Sequence, residues 1–190
     1  MIKAEYHGLY ASDFLDELEK RQDLRIDAPV DVEKIALLLG VRITDHVDLG
    51  NINTVGSISI KNNTPVIWVN PVENSYRPRR RFTIAHEIGH LVLHIEPDIG
   101  VNEFLDTKAT LNRRDSHWDI KEYEANNFAA QILMPMNLLN KYGNEIIDRH
   151  KNHYNVDKIP RDTFIDKMCD KFVVSDPAMT FRLKRIGVIS

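Results

Sequence analysis

The sequence predicts an α+β fold: a small antiparallel sheet packed against one helix that carries an HExxH motif, with the rest of the chain mainly helical. Three observations predict it. Helical spacing and capping residues mark residues 10–40 and most of the chain beyond residue 70. Residues 41–70 switch to β-branched and alternating patterns. The segment Phe82, Ile84, Ala85, Ile88, Leu91, Val92, Leu93, Ile95 is apolar on nearly every side of a helix and therefore reads as buried.

Taken in order, residues near 10–22 place Phe14, Leu15 and Leu18 at helical spacing among many charges, an exposed amphipathic helix. Asp31 is positioned to cap a second helix that Gly40 ends, with Val32, Ile35, Ala36 and Leu39 as its apolar stripe. Three strand patterns follow at 41–43, 56–60 and 65–69, and Lys61-Asn-Asn-Thr64 reads as the turn of a hairpin. The HExxH helix comes next. A further helix begins with Asp119 as its expected N-cap and stops at Pro135, and a last one runs from Ser175 to a glycine stop at Gly187. These elements divide into an N-terminal helical extension (1–28), a core (29–150) and a C-terminal helical segment (151–190) packed on it.

Composition sets bounds. A chain of 190 residues with 43% hydrophobic content can bury one core. One cysteine, Cys169, excludes an internal disulfide framework and fits a reducing compartment, and its apolar neighbours Phe164, Ile165, Met168 and Phe172 make packing its expected role. No apolar run near the start reads as a signal sequence, and none is long enough to span a bilayer, so a cytoplasmic protein without membrane contact is expected. A net charge of −3 gives no reason to expect direct nucleic-acid binding.

The chemistry concentrates in His86-Glu87-Ile88-Gly89-His90. Positions four apart stack on one face of a helix, so both imidazoles can aim a ring nitrogen at one metal ion, and zinc is the cofactor expected. Glu87 projects about 100° further round, close to the ion but outside its shell, where its carboxylate can accept a proton from a water that the metal acidifies. Burying two imidazoles and a carboxylate with no partners would cost several kcal/mol, which a metal site removes; that weighs against a chance match to the motif. Gly89 costs about 1 kcal/mol relative to alanine within a helix, so close approach of a neighbouring chain segment is expected there.

The third ligand is less direct. An HExxHxxGxxH arrangement is excluded because position 93 is Leu and position 96 is Glu. His94 lies a full turn beyond His90, about 12 Å along the axis from His86, and is read as a helix-end residue near the C-terminal dipole. The later helix offers Glu122 and Glu124, about 160° apart around its axis. With Asp119 as N-cap, Glu122 would complete a capping box, while Glu124 would border the apolar stripe Ala125, Phe128, Ala129 and Ile132 without a local partner. Glu124 is accordingly the favoured ligand, with Glu122 the alternative.

The runs from Arg81 to His94 and from Glu124 to Pro135 together resemble the ImmA/IrrE family of zinc metallopeptidases, and residues 29–41 and 172–188 resemble that family's flanking helices. The resemblance implies zinc held by His86, His90 and Glu124, with Glu87 as base. It also implies an endopeptidase acting on a helix-turn-helix repressor or antitoxin, in stress responses and mobile elements. The alternative is a non-cleaving partner, a toxin or antirepressor component that occludes such a protein. His117, Tyr123 and Tyr154 are candidates for stabilising an oxyanion. The strand before the metal helix, or its hairpin partner, is the candidate edge for an extended substrate, unless both are fully paired core. Arg77, Arg79, Arg80 and Arg81 are read as a solvated charge run ahead of contact with acidic substrate, and the C-terminal Arg182, Lys184 and Arg185 as cations favoured at a helix end.

Overall fold

The computed structural model describes residues 4–22, 24–95, 101, 103–107 and 116–189. Its elements are α1 (Ala11–Gln22), α2 (Val32–Leu38), β1 (Arg42–Thr44), β2 (Thr54–Lys61), β3 (Thr64–Val69), α3 (Arg77–Leu93), β4 (Glu103–Thr107), α4 (Ser116–Leu133), α5 (Met136–Tyr154), α6 (Arg161–Phe172) and α7 (Asp176–Arg185). The fold is α+β, with one small sheet among predominantly helical elements. No described helix is long and apolar enough to cross a membrane.

Local chemistry accounts for the sheet's centre. Asn62 and Asn63 adopt φ of 49° and 62°, a left-handed pair that asparagine tolerates, and this two-residue turn sets the register Lys61↔Thr64 through Gly56↔Val69. The sheet order is β1-β3-β2-β4. β4 joins β2 antiparallel, but β1 runs parallel to β3, with Arg42 opposite Val66, so the sheet is mixed and not wholly antiparallel. The difference arises because the chain leaves β1 and returns to start β2 beyond β3: the hairpin reverses β3 relative to β2, and β1 attaches to β3's outer side. Both strands expected to offer a free edge are therefore paired on both sides. Among the described residues, the edges are β1 and β4.

One face of the sheet, with Gly56, Ile58, Ile67, Val69 and Phe104, packs on α3, whose residues from Thr83 to Val92 are all buried. α4 covers the other side of α3. Gly89 permits this, because a Cβ there would stand 3.2 Å from both the Cα and the carbonyl oxygen of Ala125. The close approach expected from a mid-helix glycine is thus the contact between the two helices that carry the site. On the outer face of α4, α1 docks Phe14 against Phe128 with ring centroids 5.3 Å apart, so Phe14, Leu15 and Leu18 are buried although the helix's charged face is exposed.

The remaining helices brace this core. Asp31 caps α2, its carboxylate accepting from Lys34 N at 2.9 Å, and Gly40 follows at φ 73°, as the sequence predicts. Arg81 does not sit in a solvated run. Its guanidinium donates to the carbonyls of Val30 (2.8 Å), Val173 (3.1 Å) and Phe172 (3.4 Å), which ties the start of α3 to the C-terminus of α6. Arg80 pairs with Glu33 and Asp45, and Arg79 with Glu73. On α7, Arg182 is buried and donates to the Met134 carbonyl at the end of α4. Burial pushes the Cys169 thiol up to about 11, aided by Asp176, Asp166 and Asp170, consistent with packing and not nucleophilic chemistry.

Candidate active site

His86 and His90 stand one turn apart on α3 with their Nε2 atoms 2.9 Å apart. From α4, Glu122 presents Oε2 at 3.3 Å from His86 Nε2 and Oε1 at 3.2 Å from His90 Nε2. All three residues are buried, and their donor atoms lie within 4.8 Å of one another. His86 Nδ1 is 3.1 Å from Asn126 Oδ1. An amide oxygen only accepts, so the proton of a neutral His86 sits on Nδ1 and the lone pair on Nε2 faces Glu122.

This donor set fits a metal ion. Two imidazole nitrogens and a carboxylate converge out of contact with bulk water, and among the described residues Glu122 Oε2 makes no hydrogen bond. A cation at the focus compensates the desolvated oxygens and the facing lone pairs, and N,N,O donation from three residues is the ligand type of catalytic zinc sites. Burial opposes ionisation of Glu122, but His86 and His90, when they turn a protonated Nε2 toward it, outweigh burial and hold the carboxyl well below the usual carboxylate range.

The structure places the two carboxylates differently from the expectation that Glu124 turns to the histidines. Glu124 is half-exposed and its Oε2 lies 3.0 Å from His94 Nε2, away from the focus of His86 and His90. The capping argument fails because α4 starts at Ser116, three residues before Asp119, so Glu122 falls in the second turn instead of at the third helical position. Its spacing to Ala125, Ala129 and Ile132, all 0% exposed, then places it on the stripe that packs against α3. Glu124 falls on the flank.

Glu87 is 0% exposed and packs against β2: a Cβ on Gly56 would come within 2.7 Å of Glu87 Oε1 and 2.6 Å of Thr83 Cγ2. Thr83 donates to Asn74 Oδ1 at 2.7 Å, and Asn74 Nδ2 donates to the carbonyls of Val55 and Asn70, so the strand that abuts Glu87 is fastened to α3 one turn before it. His94 closes the C-terminal end of α3. It is buried, and its Nδ1 lies 2.9 Å from His90 Nδ1. Burial pushes its pKa below the ordinary histidine value against the opposing pull of Glu124. Phe104 of β4 stacks on His90, with rings 4.6 Å apart and 16° from parallel.

Sequence reading missed Asn126, Gly56 and Phe104. Asn126 was accessible, since it follows Glu122 by four residues and so shares its face. Gly56 and Phe104 carry no local signal, because their role exists only once the sheet lies on α3. Of the oxyanion candidates, Tyr123 is exposed and engages Asn127 and Arg185, while Tyr154 is exposed against His150 and His153, so neither is brought to the metal donors. The His117 side chain lies outside the described residues.

A helix bearing two histidines and a buried glutamate, completed by a carboxylate from the next helix, defines the HExxH metallopeptidase type of site. The chain belongs to the Peptidase_M78 family, the IrrE N-terminal-like domain, whose model matches residues 39–158 and spans the sheet, both metal-donor helices and α5. Membership in this family supports a metallopeptidase-like function. No curated protein matches the chain.

Proposed function

We propose that this protein is a zinc-dependent endopeptidase that hydrolyses a peptide bond in a helix-turn-helix repressor or antitoxin. The observation that carries the enzymatic reading is the buried convergence of His86, His90 and Glu122 beside Glu87, a carboxylate that a purely structural metal site would not need. The substrate class rests on the resemblance to ImmA/IrrE proteins. His86, His90 and Glu122 would hold the ion, which when bound supplies Lewis acidity to water and to the scissile carbonyl.

The chain's own groups do the rest. Glu87 takes the proton of the attacking water at a carboxylate oxygen and returns it to the leaving amine. Its burial keeps competing water from that carboxylate, and Gly56 leaves room for it against β2. β4 is the sheet edge nearest the site through Phe104, so its outer backbone groups are where an extended segment would add as a further strand.

The test is mass spectrometry of the helix-turn-helix repressor encoded nearest to this protein, after incubation with zinc-loaded wild type and with Glu87→Gln. A product formed by wild type alone supports the proposal. A repressor left intact by wild type, yet copurifying with both forms, would replace it with an occluding partner that does not cut.

A further inference from the structure

We propose that the apolar groove beside His86, between the start of α3, α4 and α7, is a specificity subsite that takes a large apolar side chain, aromatic or long aliphatic, from the substrate residues next to the scissile bond. The inference rests on the reading of this protein as a zinc-dependent endopeptidase. It names a feature of the sequence that such an enzyme would select.

The groove is laid down by the same helical spacing that brings the metal donors together. Phe82 precedes His86 by four residues and Asn126 follows Glu122 by four, so each shares a face with a donor, and Ala130 continues that face one turn further along α4. Gly89 meets Ala125, while Phe82 and Ala130 line the groove together, so the seam between the two helices continues past the donors toward the N-terminus of α3. α7 closes the far side with Ala178 and Phe181, and Tyr76 and Tyr123 complete the walls. The groove has a volume of about 580 Å³. Ligand sites span roughly 300–1,000 Å³, so a whole phenyl or indole group fits.

Continuity with the metal donors makes substrate the occupant. Asn126 lines the groove and its Oδ1 lies 3.1 Å from His86 Nδ1, so a single imidazole ring separates the groove from the donor nitrogens. An extended chain advances about 3.3 Å per residue, so a side chain one or two residues from the bond being cut reaches it. The walls fit an apolar guest. Tyr76, Tyr123 and Phe181 are each more than half exposed and come from three different elements. Single exposed rings are common, but three that converge on one groove leave apolar surface in water that the core does not use, as binding surfaces do. Charge narrows the guest further. Among the described residues no carboxylate lines the groove, whereas Arg79 does, and Arg185 stands over the Tyr123 ring at 5.4 Å. A lysine or arginine side chain entering it would lose hydration and gain no counter-ion, while an apolar one loses nothing.

The experiment is a double-mutant cycle between the groove and the repressor, using the full-length zinc-loaded protein and a repressor whose cut is mapped by mass spectrometry. On the repressor, each large apolar residue within about three positions of the cut is replaced in turn by alanine. On the protein, Phe181→Ala opens the groove and Ala178→Phe fills it. Both protein variants should lower kcat/KM roughly 10-fold or more, with zinc affinity by chelator competition and Tm unchanged. One repressor variant should show a similar loss, and combining it with Phe181→Ala should add little, as expected for two sides of one contact. Unchanged kcat/KM in both protein variants, losses that add for every repressor variant, or a cut with no large apolar residue near it would overturn the proposal. So would a loss that tracks dissociation of a dimer in size-exclusion chromatography, which would give the groove to a second copy of the chain. A wild type that leaves the repressor uncut removes the endopeptidase reading and this subsite with it, whereas a cut that ignores Phe181 and Ala178 removes the subsite alone.

Discussion

Replacing Gly56 by alanine should separate metal binding from proton transfer. The new methyl would stand 2.6 Å from Thr83 Cγ2 and 2.7 Å from Glu87 Oε1. Ordinary carbon contacts lie at about 3.5–4.0 Å, so roughly 1 Å of relief is required. β2 cannot readily withdraw, since it is laddered to β3 on one side and β4 on the other. Thr83 is held by Asn74, and the Glu87 side chain is the softer neighbour. Overpacking of this kind costs about 1–3 kcal/mol, which lowers Tm by roughly 2–12 °C in a protein of this size. A displacement of about 1 Å at the proton acceptor costs on the order of 10²-fold in rate, equivalent to about 2.7 kcal/mol. Turnover of the cleaved repressor, zinc affinity by chelator competition and Tm by circular dichroism should be measured on the same preparation. The expected result is a folded protein with near wild-type zinc affinity and about one hundredth of the activity. Wild-type turnover at wild-type Tm would refute the packing of Glu87 against β2.

Glu122→Ala removes one of three donors. Structural zinc with four ligands is worth about 10–16 kcal/mol, or roughly 3 kcal/mol per ligand, so affinity should fall on the order of 10²-fold or more; a larger loss in Glu124→Ala would return the ligand role to Glu124. Arg81→Met leaves the carbonyls of Val30, Phe172 and Val173 without their charged donor and should cost about 2–3 kcal/mol in urea unfolding; unchanged stability would mean that the α3–α6 tie contributes nothing. Cys169, with its thiol near 11, should have a thiolate fraction of only about 10⁻³ at pH 8. Alkylation of the native protein should therefore be slow and rise about tenfold per pH unit up to pH 10, whereas a rate that levels off near pH 9 would contradict the raised pKa.

Much of the site was legible because its signals are local. The HExxH spacing, the apolar flanks that bury it, the Asn62-Asn63 turn, the Asp31 cap and the Gly40 stop all act within one or two turns of chain, where spacing alone fixes geometry. Gly89 was legible in kind, since a glycine inside a buried helix implies a close neighbour, though not which one. The two glutamates of α4 show where that reasoning stops. Two carboxylates two residues apart on α4 differ by about 160° in direction, so the choice depends on where the helix begins. A helix that starts at Ser116, and not after an N-cap at Asp119, removes the capping role from Glu122 and leaves it on the buried stripe.

The sequence by itself determined the α+β class, the hairpin, the two histidines and the adjacent glutamate, because each follows from the period of a helix or strand and from residues that cap or turn it. Tertiary structure alone decided that Glu122 and not Glu124 faces His86 and His90, that β1 pairs parallel and β4 forms the edge near the site, that Gly56 and Phe104 line it, and that Arg81 is a brace. Each of these is a contact between segments far apart in the chain, fixed by which faces bury together, and the linear order of residues carries no direct record of it.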